Sequence, residues 1–472
     1  VPSGSTLTLT NCTGNGQITG GNYGSGVYVD GGTLNLYSGQ IINSHGQTGT
    51  ESNKNNYGGG VYVNSGNFNM YGGFITGNSA EYGGGVYVKS GTFTMDGGTI
   101  RENTSSGGYG TTGTPGFGGA GVYVEANGTF IMKNAASVTA NKIRSGSNGG
   151  GVYVNSGGTF KMHDDASVTE NKATGNGAAL KGAGVYVTGS GSKFEMYDRS
   201  KVTRNEASGT SHGDNDNGGG VYVSVSGQNS KFEMNDNASV TGNTATGYGG
   251  GVYVKSGTFT MNKNASVTGN QAYNGGGVFV SGGTFAMNGE ATSVSNNKAT
   301  QYGGVFVSDQ ATFTVSDRPT VTGNTKIGAD SAASNVNLAG SAYITIGSYG
   351  LNGIENSIGV TKVVNPNTKK AVIATNVSTD YSGKFFSDDN TQYEVKHEGD
   401  QLVLKEKETQ TPTHSHSWTY RADKATITAT CTGTGDCKYK NTPATVTISM
   451  TNTTYPYSEN MEAPKAKLTY ST

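Results

Sequence analysis

The sequence predicts an all-β fold, a parallel β-helix, on three observations. First, 78 of the 472 residues are Gly and only 8 are Pro, which indicates many turns without a collagen-like or proline-rich segment. Second, the tetrapeptide Gly-Val-Tyr/Phe-Val occurs ten times between Gly26 and Val307. Third, further short apolar-x-apolar segments follow each copy, and none has the length and period of a helix.

The first strand of each repeat is the Val-Tyr-Val segment. Alternate residues of a strand point to opposite faces, so the valines point inward and the aromatic residue between them points outward. Stacked repeats then form an outward ladder of rings, which suits contact with sugars. Two alternatives stay open here: loops cover the ladder, or the rings only strengthen the sheet. The candidate ligand-binding residues are Tyr28, Tyr62, Tyr87, Tyr123, Tyr153, Tyr186, Tyr222 and Tyr253.

The second strand has the pattern Phe-x-Met, and its middle residue is mostly polar, as with Lys161 and Glu195. Phe and Met are therefore predicted to fill the core. A third short strand follows, and three residues after its apolar residue comes an Asn, as in Val138 and Asn141. This Asn column repeats too evenly for an active site, and we predict an internal or turn amide ladder.

Insertions collect at one corner of the repeats. The spacing from the motif Gly to the Asn of this column, or to Ser44 in the first repeat, is 18 to 23 residues, whereas the spacing from there to the next Gly ranges from 7 to 18. In solenoids such a loop side is often the binding face. The predicted contact loops are residues 45–57, 104–118, 172–181 and 206–217.

The repeated segments Gly-Gly-Gly-Val-Tyr-Val, Gly-Thr-Phe-Thr-Met and Val-Thr-Gly-Asn resemble the right-handed parallel β-helix repeats of large cell-surface proteins and adhesins of Gram-positive gut bacteria. They are also similar to the paired repeats of polymorphic outer-membrane autotransporters. The resemblance covers residues 1–325 and implies a pectate-lyase-like solenoid of about 11 to 13 coils, spaced by about 4.8 Å. Such folds serve adhesins and polysaccharide-degrading enzymes alike.

The pattern weakens after the tenth repeat. Residues 326–404 are predicted to form degenerate coils and the C-terminal cap that a solenoid needs over its last layer. Residues 405–417 have the polar composition of a linker. Residues 418–472 resemble the Ig-like β-sandwich modules of clostridial-type surface proteins. They are short for a complete module, so we expect the native chain to continue beyond Thr472.

Composition limits the partners. Charged residues make up 14% of the chain and the formal net charge is −1, so no basic surface is expected to hold nucleic acid. No apolar run is long enough to span a membrane. The three cysteines are too few for a disulfide framework and permit one bridge, Cys431 to Cys437, which leaves Cys12 alone.

Acidic residues are the natural candidates for catalysis or metal binding. Three occupy equivalent turns of different repeats: Asp164, Asp198 and Asp236. Further repeats carry Asn134 or Lys263 there, which favours turn-forming residues over catalytic ones. Asp214 and Asp216 lie in a loop of alternating Asp and Asn and are the best Ca²⁺ candidates, although a distal bidentate Glu is missing. We predict no catalytic residues and no required cofactor.

The sequence favours an extracellular bacterial adhesin or structural display protein at the cell surface. Its expected partners are extracellular glycans or surface proteins of host or bacterial cells. Two alternatives stay open. A polysaccharide-degrading lyase or hydrolase needs acids from different coils to converge in one groove, and a passive spacer needs only length.

Overall fold

The chain forms two compact units, Val1–Lys407 and Glu408–Thr472. A computed structural model describes residues 1–11, 16–20, 24–46, 56–105, 117–143, 148–175, 180–209, 216–225, 230–328, 331–365 and 367–407, together with the backbone of three later strands. The first unit is a parallel β-helix, because equivalent strands of successive repeats pair in parallel and in register. Within these described ranges, no helix is long and apolar enough to cross a membrane.

Two strand stacks carry most of the core, and we name each stack for its commonest sequence. The Val-Tyr-Val stack comprises Val27–Leu36, Val61–Met70, Val86–Val88, Val122–Val124, Val152–Val154, Val185–Thr188, Val221–Ser224, Val252–Val254, Val278–Val280, Val305–Val307 and Val336–Leu338. The Phe-x-Met stack comprises Thr6–Leu9, the second halves of Val27–Leu36 and Val61–Met70, and then Gly91–Met95, Gly128–Met132, Thr159–Met162, Lys193–Met196, Lys231–Met234, Thr258–Asn262, Thr284–Gly289, Thr312–Asp317, Ile344–Leu351 and Lys370–Thr375.

Two further stacks complete each coil. The Ser-Val-Thr stack comprises Gln17–Thr19, Gln40–Ile42, Phe74–Thr76, Thr99–Arg101, Ser137–Thr139, Ser167–Thr169, Lys201–Thr203, Ser239–Thr241, Ser266–Thr268, Ser293–Ser295, Thr320–Thr322, Ile358–Lys362 and Phe385–Ser387. The Lys-Ala stack comprises Ser79–Ala80, Thr104–Ser105, Lys142–Ile143, Lys172–Gly175, Glu206–Gly209, Thr244–Ala245, Gln271–Ala272, Lys298–Ala299 and Thr325–Lys326. The sequence predicted three stacks, and this fourth one was missed because most of its strands have only two residues.

The core confirms the predicted side-chain directions. The valines of the first stack and the Phe and Met residues of the second lie in one continuous buried cluster. Its Phe rings stack along the coils from Phe68 to Phe313, with centroids 4.4 to 5.0 Å apart. Small residues of the Lys-Ala stack, such as Ala173 and Ala207, form a second small core beside the corner where insertions occur.

The Asn column is an internal amide ladder, as predicted. The backbone N–H and the side-chain Nδ2 of each Asn both donate to Oδ1 of the Asn one coil further on. Asn141, for example, donates to Asn171 at 3.0 and 2.9 Å. The ladder ends at Asn335, whose backbone N–H and Nδ2 donate to the carboxylate of Asp388 at 2.8 and 2.6 Å.

Antiparallel strands close the first unit. Gln401–Glu406 pairs with both Lys370–Thr375 and Tyr393–Glu398. The short 3-10 helix Ser382–Lys384 lies in sequence between the latter two strands. Leu180–Lys181 and Asp216–Asn217 form a separate parallel pair. In the second unit, the described strands Trp418–Asp423, Thr426–Cys431 and Pro443–Thr447 form an antiparallel sheet.

Candidate ligand-contact surfaces

The predicted aromatic ladder exists, but most of it is buried. Tyr123 pairs in register with Tyr153, and neighbouring ring centroids along the ladder lie 4.6 to 5.4 Å apart. From Tyr87 to Tyr253, the six tyrosines expose only 1 to 8% of their surface, so the prediction of an exposed strip is wrong for them. With Phe279, they form one buried aromatic cluster of seven rings: Tyr87, Tyr123, Tyr153, Tyr186, Tyr222, Tyr253 and Phe279.

A second row of aromatic residues covers part of the ladder, on both sides of its middle rings, which supports the alternative that the chain folds over it. These residues come directly before the glycines that open each repeat. Each has its ring centroid 4.5 to 5.5 Å from that of at least one ladder ring, and the covering residues are Tyr57, Tyr82, Tyr248 and Tyr302. The glycines permit this fold-back: at Gly83, with φ at +65°, a Cβ would lie 2.3 Å from the carbonyl oxygen of Val86.

Polar groups fix the hydroxyls of the buried ladder near Glu125. The Tyr87 hydroxyl donates to Glu125 Oε2 at 3.4 Å, and Asn155 Nδ2 donates to the Tyr123 hydroxyl and to Glu125 Oε1, each at 3.1 Å. Burial, reinforced by the nearby Glu125 carboxylate, raises the pKa of Tyr87 and Tyr123 well above the ordinary value. These phenols therefore stay neutral, and the buried part of the ladder presents no ring face to a ligand.

The two N-terminal rings of the ladder differ from the rest. Tyr28 exposes 46% of its surface, and Tyr62 is half-buried. Burial, with smaller contributions from Tyr28, Tyr57 and Asp30, raises the pKa of Tyr62 to about 12. For Tyr28 and Tyr62 the binding role stays a prediction.

The three equivalent aspartates are turn residues, as predicted. Asp164, Asp198 and Asp236 have φ values of 55°, 57° and 56°, in the left-handed region that Asp tolerates better than most residues. Each carboxylate accepts the backbone N–H of the equivalent residue one coil earlier, as Asp198 does from Asp164 at 3.1 Å. These backbone-to-carboxylate hydrogen bonds form a row along the turns and link successive coils.

Glu195 and Glu233 are neighbours in register on the outer face of the Phe-x-Met stack. Lys161 and Lys231 each lie 3.3 Å from Glu195, and Lys231 lies 2.8 Å from Glu233. Burial acts to raise the pKa of Glu195, but the two ammonium groups outweigh it and hold the pKa below its ordinary value. Glu195 therefore carries no proton at neutral pH, whereas hydrolysis by paired carboxylates requires a protonated acid.

Several predicted features lie outside the described residues. These include Asp214, Cys12 and Cys437, the side chains of Asp216 and Cys431, and the central parts of the four contact loops. In the described part of the chain, no three His, Cys, Asp or Glu side chains come together as ligands for a metal ion.

An exposed aromatic surface lies on the turn after the Phe-x-Met strand in the first coils. Tyr37 and Tyr71 expose 50% and 42% of their surface and stack with centroids 4.6 Å apart. On the Ser-Val-Thr strands that follow this turn, the Arg101 guanidinium lies 4.7 Å from the ring centroid of Phe74, which is 37% exposed. We call Tyr37, Tyr71, Phe74 and Arg101 the tyrosine patch. Two glycines, at 72 and 73, separate Tyr71 from Phe74, so no side chain stands between these two rings in the sequence.

The tyrosine patch was not predicted, because Tyr follows the Phe-x-Met strand in few repeats. The signal was present: Tyr37 and Tyr71 occupy the same position of consecutive repeats, directly after Leu36 and Met70. The fold and these surfaces define the class of protein as a parallel β-helix solenoid. The chain matches no protein family model, and it has no significant match among curated proteins or solved structures.

Proposed function

We propose that this chain is part of an extracellular bacterial adhesin or display protein, and that the tyrosine patch is a surface for contact with glycans. The observation that carries the proposal is the pair of half-exposed, stacked rings of Tyr37 and Tyr71, with the exposed Phe74 and its Arg101 partner on the strands that follow. Tyr offers a sugar both an apolar ring and a hydroxyl, and Arg donates hydrogen bonds to sugar hydroxyls.

The cell-surface assignment rests on the repeat and on the second unit. The Gly-Val-Tyr-Val repeat resembles surface proteins and adhesins of Gram-positive gut bacteria. We propose that the second unit is an Ig-like module, which its three antiparallel strands support. A protein that holds such modules in tandem suits attachment at a cell surface better than free diffusion.

We favour binding over hydrolysis of the glycan. Glu195 is held ionised by two lysines, and the carboxylates of Asp164, Asp198 and Asp236 are engaged in turns. These acids support a structural role better than the acid and nucleophile pair of a glycosidase.

Retention on immobilised plant, mucin and bacterial glycans tests the proposal, with the flow-through examined for released oligosaccharides. We expect retention without release, and we expect Tyr37→Ser combined with Tyr71→Ser to weaken it. Tyr349→Ser is the matched control, because Tyr349 is 80% exposed and lies elsewhere in the first unit. Equal retention of the double variant would refute the patch, and released oligosaccharides would instead support a degrading enzyme.

A further inference from the structure

A small depression lies among the last coils of the first unit, apart from the tyrosine patch. Its volume is about 310 Å³, near the lower end of the range for small-molecule sites. Two consecutive coils line it: Asp309, Gln310 and Thr312 come from one, and Ser341, Tyr343 and Thr345 come from the next. This size suits one sugar ring rather than a long segment of polymer.

Asp309 is held in place as a hydrogen-bond acceptor. Its Oδ1 accepts hydrogen bonds from the backbone N–H of Ser341 at 2.5 Å and from the Ser341 hydroxyl at 3.1 Å. The turn approaches closely at Gly340, where a Cβ would lie 2.5 Å from Oδ1, so any larger residue would displace the carboxylate. In the described part of the chain both of these donors reach Oδ1, and Oδ2 is left to accept from a ligand.

The remaining lining groups complete the chemistry that a sugar needs. Tyr343 exposes 45% of its surface and offers an aromatic ring. The Gln310 amide and the hydroxyls of Thr312 and Thr345 can each donate and accept hydrogen bonds. A sugar ring presents the complementary set, namely vicinal hydroxyls at its edge and C–H groups on its face.

The charges near the depression favour a neutral ligand over an anion. Among the described residues that line it, Asp309 alone is charged, and it is negative. The Lys362 ammonium lies close enough to interact electrostatically with Asp309. It donates, however, to the backbone carbonyls of Ala342 and, at 2.9 Å, of Val372, so it is engaged by the protein. The Asp309 carboxylate would therefore repel an acidic sugar, and the Lys362 ammonium, which is bound to backbone carbonyls, would not compensate for this repulsion.

We propose that this depression binds a single neutral sugar residue, with Asp309 accepting hydrogen bonds from its hydroxyls and Tyr343 stacking on its face. The site is separate from the tyrosine patch and does not depend on it. It would give the protein a second, pocket-like contact for a terminal sugar.

Ligand-observed NMR titration of the full chain with glucose, galactose, mannose, N-acetylglucosamine and glucuronate tests the proposal. At least one neutral sugar should bind and glucuronate should not. Asp309→Asn keeps an acceptor for Ser341 but replaces the free oxygen with a donor, so it should weaken binding about tenfold. Tyr343→Ser should weaken binding as well, whereas Asp400→Ala, at another exposed aspartate, should leave it unchanged.

Absence of binding by every neutral sugar would overturn the proposal, as would equal affinity of Asp309→Asn. Preferential binding of glucuronate would also overturn it. The double variant at Tyr37 and Tyr71 separates the two sites: its retention on glycans should be weakened while its titration with monosaccharides stays unchanged. Failure of one proposal therefore leaves the other standing.

Discussion

A carboxylate closes a ladder otherwise made of amides. Asp388 accepts hydrogen bonds from the backbone N–H and Nδ2 of Asn335, and from the Thr361 hydroxyl at 2.8 Å. Burial raises the pKa of Asp388, although these hydrogen bonds act in the opposite direction. The free-energy cost of burying the charged carboxylate therefore exceeds the stabilisation that its three hydrogen-bond donors give it.

This raised pKa predicts how stability depends on pH. Because the folded pKa lies above the unfolded value near 3.8, the contribution of Asp388 is fully present below that value and is lost as pH rises through the folded pKa. Asp388→Asn removes the titration, and its amide oxygen can still accept from Asn335. Relative to the variant, the wild type should lose stability as pH rises above about 4, as measured by urea unfolding midpoints. A difference that does not change with pH would contradict this.

The aromatic ladder and the row that covers it act together as one packed element. Tyr123 is 1% exposed and contacts rings on its own ladder and in the covering row, including Tyr82 and Tyr153. Replacing it by Ser removes a fully buried ring, and we expect a loss of about 3 to 5 kcal/mol in the free energy of unfolding. Tyr71→Ser, at an exposed ring, should change it by less than about 1 kcal/mol.

Urea unfolding of both variants measures this contrast. Equal stabilities would mean that the covering row does not seal the ladder. Glycan retention adds an independent reading, because we expect the Tyr71 variant, and not the Tyr123 variant, to alter contact with ligand. The two substitutions thus distinguish a ring that stabilises the fold from a ring that meets a partner.

The features of the fold that could be predicted from the sequence are those that recur from repeat to repeat. Parity along the strands gave the direction of Val, Phe, Met and Tyr, and the even recurrence of Asn gave the amide ladder. The covering row was missed because Tyr57, Tyr82 and Tyr248 precede only some of the Gly-rich segments. Direction relative to a strand is a local property, whereas burial depends on what the rest of the chain lays over it.

The candidate sites were harder to predict than the fold. The tyrosine patch depends on two consecutive repeats that place Tyr at the same turn. Most other repeats have another residue there, so the features shared by the repeats do not reveal it. The depression at Asp309 and Tyr343 joins side chains of two consecutive coils at the point where the motif weakens. The depression has no sequence signature, because contacts between coils form it, whereas the patch has only the weak signal of Tyr at one position in consecutive repeats.

Over the whole of the first unit, the ion pairs that join coils lie mostly at the surface. Examples are Arg199 with Asp165 at 2.7 Å and Arg204 with Glu170 at 2.9 Å, in which every side chain is at least 50% exposed. Exposed pairs contribute about 0 to 1 kcal/mol each and are screened by salt. The buried core and the amide ladder therefore dominate the stability of this unit.

Thermal unfolding at low and high NaCl concentration tests this balance. We expect the transition temperature of the first unit to fall by only a few degrees when NaCl rises from about 0.05 to 1 M, where the Debye length shrinks to about 3 Å. A large fall would instead mean that the charged surface, and not the core, holds the coils together.

The hydrogen bonds that join one Asn of the ladder to another all run the same way, from each coil to the next. The Asn of every coil therefore has two donors, its backbone N–H and its Nδ2, that need an acceptor on the next coil. A further coil with the same Asn supplies that acceptor and presents two new donors of its own. Growth by whole repeats is consequently self-perpetuating, and it stops only at a group that accepts without donating onward. Asp388 is such a terminator, so the number of coils can change by duplication or loss of repeats while the end of the solenoid stays the same.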